Sequence, residues 1–80
     1  MSNLVSGRQL RAARVMAGAT QKEFARVVGY HERACRYWES KAGLPTSCPA
    51  TLRNIEDALA RLGVEVFREP TPGARFADKR

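Results

Sequence analysis

The chain has few of the residues that metal sites and disulfide frameworks require. It contains two cysteines and one histidine among 80 residues. A structural zinc site takes four ligands, usually at short regular spacings, so we expect neither a metal site nor any other cofactor. Cys35 and Cys48 are also too few for the disulfide framework of a small secreted domain.

Long apolar runs and targeting signals are missing as well. The longest apolar stretches span a few residues, whereas a membrane-spanning helix needs about 20. Residues 1–7 lack the basic-then-apolar order of a secretory signal. We therefore expect a cytoplasmic protein. Because no nucleophile–base pair, carboxylate dyad or phosphate-binding loop is present either, we expect that it is not an enzyme.

What the chain has in excess is positive charge. Its 44% apolar and 28% charged residues suit one small folded domain. The formal net charge is +6, and 11 of the 14 basic residues are arginine. Residues 8–41 carry eight basic and three acidic residues, which leaves a net charge of only +1 for residues 42–80. This excess in the first half favours a phosphate-bearing partner there, although a solvated basic surface would give the same charge.

Apolar spacing and capping residues predict four helices. Ser6 followed by Gln9 has the spacing of a capping box, and Thr20 followed by Glu23 is a stronger example. The helices are predicted over residues 8–17, 20–28 and 31–40, and from between Pro49 and Thr51 to about residue 62. The inward residues are predicted to be Leu10, Ala13, Ala17, Phe24, Ala25, Val28, Cys35, Trp38, Leu52, Ile55, Ala58, Leu59 and Leu62.

The pattern changes after Gly63. Residues 64–67 are β-branched, aromatic and partly alternating, which predicts a short strand, and residues 74–76 could return as a second strand. A two-stranded ribbon is marginal alone, so helix 4 or a second copy of the chain must cover Val66, Phe67 and Phe76. A frayed tail is the alternative, and residues 77–80 are expected to be disordered.

Residues 20–39 have the pattern of two short helices joined by a tight turn at Gly29. Such a linker makes the helices cross steeply, as in a helix-turn-helix, whose second helix enters the DNA major groove. At about 100° per residue, the third helix places His31, Cys35 and Trp38 on one side. The other side then carries Arg33, Arg36, Tyr37 and Ser40, with Glu32 near the N-terminal edge.

A wider set of residues forms one pattern with this helix pair: Leu10, Ala13, Arg14, residues 20–25, Gly29, Tyr30, Trp38, Glu39, Thr51, Leu52, Ile55, Ala58, Leu59, Gly63 and Val64. By this pattern, residues 7–63 resemble the λ-repressor-like helix-turn-helix domain of the Cro/XRE class, the small regulators of phages and mobile genetic elements. The resemblance implies an all-α bundle of four or five helices that binds duplex DNA in a sequence-specific way. In this view residues 1–63 form the DNA-binding domain, residues 64–76 a C-terminal extension, and residues 77–80 a tail.

The resemblance also implies roles for individual residues. Base contacts are expected from His31, Glu32, Arg33, Arg36 and Tyr37, and backbone contacts from Gln21, Lys22, Ser40 and Lys41. Arg33 can fork to guanine, and Glu32 can accept a hydrogen bond from cytosine. Arg14 and Glu39 occupy the positions of a structural ion pair, and the suggested dimer contacts are Val64, Val66, Phe67 and Phe76.

Three features depart from the family pattern. His31, Glu32 and Ala34 stand where small polar residues are common, and an acidic residue there lowers nonspecific DNA affinity. Cys35 replaces a branched aliphatic residue. Strands take the place of a fifth helix at the C-terminus, so the usual dimer surface is not assured. Glu32 and Arg36 also have the i,i+4 spacing of an ordinary surface ion pair.

The leading functional hypothesis is a transcriptional repressor that binds an inverted-repeat operator as a homodimer and associates with the nucleoid. One alternative is an antitoxin that holds a toxin through the segment after Gly63. Another is a protein-interaction module in which the basic third helix meets an acidic partner. The last alternative predicts weak DNA affinity that disappears with salt and shows no preferred sequence.

Overall fold

The computed structural model describes residues 3–77, which form four helices and a two-stranded antiparallel ribbon. In chain order the elements are α1 (Gly7–Ala17), α2 (Gln21–Val28), α3 (Glu32–Glu39), α4 (Pro49–Arg61), β1 (Val64–Phe67) and β2 (Gly73–Phe76). The prediction of a mostly helical domain with a short C-terminal ribbon is therefore confirmed. Residues 78–80, most of the predicted disordered tail, lie outside the described residues. None of the helices within residues 3–77 is long and apolar enough to cross a membrane.

The helix starts follow from local hydrogen bonds. Thr20 and Glu23 form the complete predicted capping box, since each side chain accepts from the other residue's amide, at 3.0 and 2.9 Å. The Ser6 box forms only in part. Ser6 Oγ accepts from the Gln9 amide at 3.1 Å, but Gln9 Oε1 accepts from Val5 N instead of Ser6 N. Both helices nevertheless begin within one residue of the predicted positions.

Side chains from all four helices and from β1 meet in one core. Its buried apolar members are Leu4, Leu10, Ala13, Phe24, Ala25, Cys35, Trp38, Leu52, Ile55, Ala58, Leu59, Val64 and Val66. Leu4 is fully buried although it precedes the first helix, where sequence periodicity gives no signal. His31 is predicted on the same side of α3 as Cys35 and Trp38, but unlike them it is not buried. His31 is the N-cap residue of α3 and is exposed, because its backbone is still extended and off the helical wheel.

The ribbon packs onto the helices of its own chain. Strand β1 contacts α1 and α4, and β2 contacts α1. As a result Val64 is fully buried and Val66 is 8% exposed. The suggestion that these two side chains contact a second copy is therefore wrong, because α1 and α4 already cover them. The ring of Phe67 lies over Gly73 and is half-buried, whereas Phe76 is 66% exposed at the end of β2.

A single glutamine fixes the ribbon to the first helix. Gln9 is 5% exposed, and its Nε2 group donates to the carbonyl oxygens of Phe67, at 2.8 Å, and Gly73, at 3.0 Å. The same group donates to the carbonyl of Asn3. One buried amide thus shares its two hydrogens among main-chain carbonyls from both strands and from the N-terminal segment, which reduces the desolvation penalty of these groups.

The first residue of α1 lies against the end of α3. Gly7 N donates to the carbonyl oxygens of Lys41 and Gly43, both at 3.1 Å. A Cβ atom on Gly7 would lie 2.4 Å from the Trp38 carbonyl oxygen and 2.6 Å from that of Lys41. Since these neighbours are backbone atoms, they cannot move aside as a flexible side chain would. The close approach of α1 to α3 therefore requires glycine at this position.

We predict that Gly7→Ala destabilises the protein by about 1–3 kcal/mol, the usual cost of overpacking. A decrease in the free energy of unfolding would point to the steric contact, because alanine normally stabilises a helix by about 0.5–1 kcal/mol relative to glycine. Urea unfolding followed by circular dichroism measures the difference. Gly43→Ala is the matched control, since a Cβ at Gly43 meets nothing within 4 Å. A Gly7→Ala protein as stable as the wild type would contradict this account of the α1–α3 contact.

Candidate nucleic-acid interface

Helices α2 and α3 form a compact pair. Each has eight residues, and three residues join them. Gly29 ends α2 with φ of 100°, a conformation that side-chain-bearing residues rarely adopt. The amides of Gly29 and Tyr30 both donate to the carbonyl of Ala25, at 2.9 and 2.8 Å. This closure stops α2 and turns the chain directly into α3, and the two helices then pack against each other.

Tyr30 anchors the turn to the rest of the domain. Its hydroxyl lies 3.0 Å from Thr51 Oγ1 near the start of α4. Its ring meets the Trp38 ring edge-on, with centroids 5.1 Å apart and planes at 73°, which is a favourable aromatic geometry. The turn is therefore held from α3 and α4 at once.

Helix α3 has one buried side and one exposed side. Cys35 is fully buried and Trp38 is 4% exposed. Arg33, Arg36 and Tyr37 lie on the opposite side and are exposed, as the helical spacing predicts. The outer side of α3 thus presents two guanidinium groups and a phenol to solvent.

A buried carboxylate joins the first three helices. Glu39 of α3 accepts hydrogen bonds from Arg14 Nε at 2.5 Å and Arg14 Nη2 at 3.2 Å. It also accepts from Gln21 Nε2 at 3.0 Å and from Cys35 Sγ at 3.4 Å. The two ion-paired side chains are 12% and 5% exposed for Arg14 and Glu39. We call these four side chains the Glu39 network. The ion pair that the family resemblance implies is present in the structure.

The network favours the ionised form of Glu39. Burial raises the pKa of its carboxyl, but hydrogen bonds from Arg14, Gln21 and Cys35, together with the charge of Arg14, outweigh burial and hold that pKa below its usual range. The hydrogen bond to Glu39 in turn raises the pKa of Arg14. A lowered folded-state pKa means that Glu39 stabilises the fold above the unfolded-state pKa of a glutamate. This contribution is lost as the pH falls through the folded-state value.

Two shallow depressions run along α2 and α3. The first is lined by Lys22, Arg26, Tyr30, His31, Glu32, Arg33, Ala34, Arg36, Tyr37 and Trp38. The second is lined by Arg11, Arg14, Thr20, Gln21, Lys22, Glu32, Arg36, Glu39 and Ser40. They share Lys22, Glu32 and Arg36, so they form one continuous surface. Its exposed cations are Arg11, Lys22, Arg26, Arg33 and Arg36, and we call it the basic surface.

The expected base-contacting residues all line the basic surface. His31 caps α3 without a side-chain hydrogen bond to the helix. Glu32 Oε2 and Arg36 Nη1 form an exposed ion pair at 3.0 Å. Tyr37 is 56% exposed. Arg33 is exposed, and within residues 3–77 it has no hydrogen-bond or ion-pair partner.

The residues expected to contact the DNA backbone are arranged less uniformly. Lys22 is exposed, but Gln21 is half-buried and donates to Glu39. Ser40 Oγ donates to the Tyr37 carbonyl at 2.6 Å. Lys41 Nζ lies 4.2 Å from the centroid of the Tyr37 ring, a cation–π contact. Lys41 and Ser40 therefore contact the same residue at the C-terminal end of α3.

The sequence assigns no definite role to two cations of the basic surface, Arg11 and Arg26: they and Arg8 could solvate their helices, and one of the three is expected to contact phosphate. Arg26 follows Lys22 by four residues, so helical spacing places both on one face of α2 and could have identified it. Arg11 comes from α1, and nothing local in the sequence links it to α3. Within the described part of the chain, no group of three or more His, Cys, Asp or Glu residues could hold a metal ion.

The arrangement is suited to a polyanion. Guanidinium groups fork to phosphate oxygens and to base edges, and an open surface admits a large rigid partner. A scan of protein-family models finds none that matches the chain, and a search of curated proteins finds no significant match either.

The two thiols lie in opposite environments. Burial, together with the carboxylate of Glu39, raises the pKa of Cys35 to about 12. Cys48 is exposed at the N-cap position of α4. A hydrogen bond with the Thr51 side chain, helped by main-chain amides of α4, lowers the pKa of Cys48. Cys48 is consequently the reactive thiol of the folded protein.

We predict that a water-soluble maleimide labels one thiol of the native protein quickly and labels the second only through unfolding. Because a domain opens with a free energy of at least about 5 kcal/mol, Cys35 should react more than about a thousandfold more slowly than Cys48. Mass spectrometry over time measures both rates. The Cys48→Ser variant should lose the fast phase, and a fast phase that persists in it would show that Cys35 is accessible.

Proposed function

We propose that the protein is a sequence-specific duplex DNA-binding regulator of the λ-repressor-like helix-turn-helix class, with α3 as the helix that enters the major groove. The observation that carries the proposal is the two-sided character of α3. Its inner side is fixed by Cys35, Trp38 and the Glu39 network, while its outer side presents Arg33, Arg36 and Tyr37. A rigidly held helix with exposed hydrogen-bond donors is what direct readout of base edges requires.

Arg33 is the leading base-reading residue. Its guanidinium is exposed and has no partner within residues 3–77, so no existing contact must break before it forks to guanine O6 and N7. Tyr37 lies one helical turn further along, and the Lys41 ammonium near its ring limits its orientation. The two side chains reach different base pairs, because four residues of helix span about 6 Å.

Phosphate contacts come from the edges of the basic surface. Lys22 and Arg26 belong to α2, and Arg11 belongs to α1, so cations flank the second depression and continue along α2. Gln21 is the first residue of α2, where main-chain amides favour an anion. Its second Nε2 hydrogen remains for a phosphate while the first donates to Glu39. Such contacts fix the register of the helix on the duplex without reading sequence.

The regulator acts as a homodimer on an inverted repeat, with half-site centres about 10 bp apart. Repression then needs only that the bound dimer occlude RNA polymerase. Of the four side chains suggested for the dimer contact, Phe76 is exposed and Phe67 is half-buried, so these two remain available to a second copy. Binding to the chromosome would place the protein in the cytoplasm, at the nucleoid.

A protein-interaction module is the second candidate. It is favoured by the presence of Glu32 in the basic surface, because a carboxylate weakens attraction to a uniformly negative duplex and suits a partner of mixed charge. The two candidates differ in their response to salt and sequence. A regulator retains a sequence preference at physiological salt, whereas an electrostatic docking surface does not.

The test is selection of duplexes from a random pool, followed by affinity measurements on the selected duplex and a scrambled one. We expect an advantage of about 10³ or more for the selected sequence at physiological salt. Arg33→Ala should cost roughly 1–3 kcal/mol on the selected duplex and relax the preference at one base position. Arg61→Ala, which removes an exposed arginine at the end of α4, is the charge-matched control.

Two outcomes of this experiment would contradict the proposed function. If no sequence is enriched and all binding disappears as salt rises, the protein is not a sequence-specific regulator. If Arg33→Ala and Arg61→Ala weaken binding equally, α3 is not the helix that reads bases.

A further inference from the structure

We infer that Glu32 is a specificity-determining residue that keeps Arg36 from noncognate phosphates. This inference rests on the proposed function and concerns how the basic surface discriminates between DNA sequences. In the free protein Glu32 holds Arg36 in an ion pair. On an arbitrary duplex this pair persists, and its carboxylate repels the phosphates. Only a duplex that supplies donors to the carboxylate and acceptors to the guanidinium replaces both halves of the pair.

The first support is the electrostatic position of Glu32. Among the residues that line the basic surface within residues 3–77, the carboxylates are Glu32 and Glu39. The side chain of Glu39 is 5% exposed and is engaged by Arg14, whereas that of Glu32 is 42% exposed. A DNA phosphate that approaches α3 therefore meets one solvent-facing negative charge, at the point that both depressions share.

The second support is the geometry of the pair. Glu32 Oε2 lies 3.0 Å from Arg36 Nη1, one helical turn along the outer side of α3. The Arg36 side chain is 56% exposed, so the pair is held in water and is weak. A weak pair is suited to exchange, because a cognate base contact can replace it at little cost. A buried pair such as Arg14–Glu39 could not be exchanged in this way.

The third support is the chemistry of the two groups. An ionised carboxylate only accepts hydrogen bonds, and the cytosine N4 amino group is the donor that the major groove offers to it. Arg36, once released, forks to guanine or to a phosphate. Glu32 stands in the first turn of α3, where the helix dipole favours negatively charged side chains. The ligand that satisfies both groups is a duplex with a G·C pair beneath the first turn of α3.

The experiment replaces the carboxylate by its neutral isostere, Glu32→Gln, and measures affinity for the selected and the scrambled duplex at several salt concentrations. Releasing Arg36 to one additional phosphate should tighten scrambled binding about fivefold at 0.15 M salt and steepen the salt slope by about one. Binding to the selected duplex should not improve, so the ratio of the two affinities falls. In the Arg36→Ala background, the same substitution should tighten scrambled binding much less.

Glu65→Gln is the matched control. Glu65 also pairs with an exposed arginine, Arg75, but on the ribbon. The side chains of this pair are 46% and 63% exposed for Glu65 and Arg75, so the charge change and the solvent environment are equivalent. Any effect of net charge alone appears equally in both variants. Circular dichroism and urea unfolding establish that both variants are folded.

The outcomes separate this inference from the function on which it rests. A fall in the affinity ratio for Glu32→Gln and not for Glu65→Gln supports it. Equal effects of the two substitutions overturn it, as does an equal loss of affinity for both duplexes in Glu32→Gln. If the wild-type protein itself shows no sequence preference, the proposed function fails, and the role of Glu32 in specificity fails with it.

Discussion

The carboxylate of Glu39 is the point on which the arrangement of α1, α2 and α3 depends. It accepts hydrogen bonds from Arg14, Gln21 and Cys35. One side chain of α3 is therefore bound by both α1 and α2. Removing one partner of such a pair leaves a buried charge unsatisfied, which is far more costly than losing an exposed pair. The contact of Gly7 with the carbonyls at the end of α3 acts in the same direction. Together these contacts fix where the outer side of α3 points.

Three arginines show how environment divides one residue type among different tasks. Arg14 is nearly buried and donates hydrogen bonds to the carboxylate of Glu39 and to the carbonyl of Ala19. Arg36 is exposed and shares its charge with Glu32, while Arg33 has no partner within residues 3–77. A count of basic residues treats all three alike. In the structure they differ in how many existing hydrogen bonds and ion pairs must break before each can bind a new partner. The proposed roles follow from this difference.

Local features of the fold could be predicted from the sequence, and nonlocal ones could not. The capping box at Thr20 and Glu23 depends on residues three apart, so its prediction was confirmed. Periodicity likewise separated the inner and outer sides of α3, except at His31, which precedes the helix. By contrast, Gln9 reaches strand residues more than 50 positions away, and Tyr30 meets Thr51 on another helix. Alternation in Val64–Phe67 predicted a strand but could not tell whether its own helices or a second copy would cover it.

We propose that the basic surface, and α3 above all, is where the protein contacts duplex DNA. Nuclear magnetic resonance titration of the labelled full chain with a selected duplex tests this residue by residue. We expect amide shifts to concentrate in α3 and at the start of α2, with little change across the outer face of the ribbon beyond a dimer contact near Phe76. Shifts centred on the ribbon or on α4, with α3 unchanged, would contradict it.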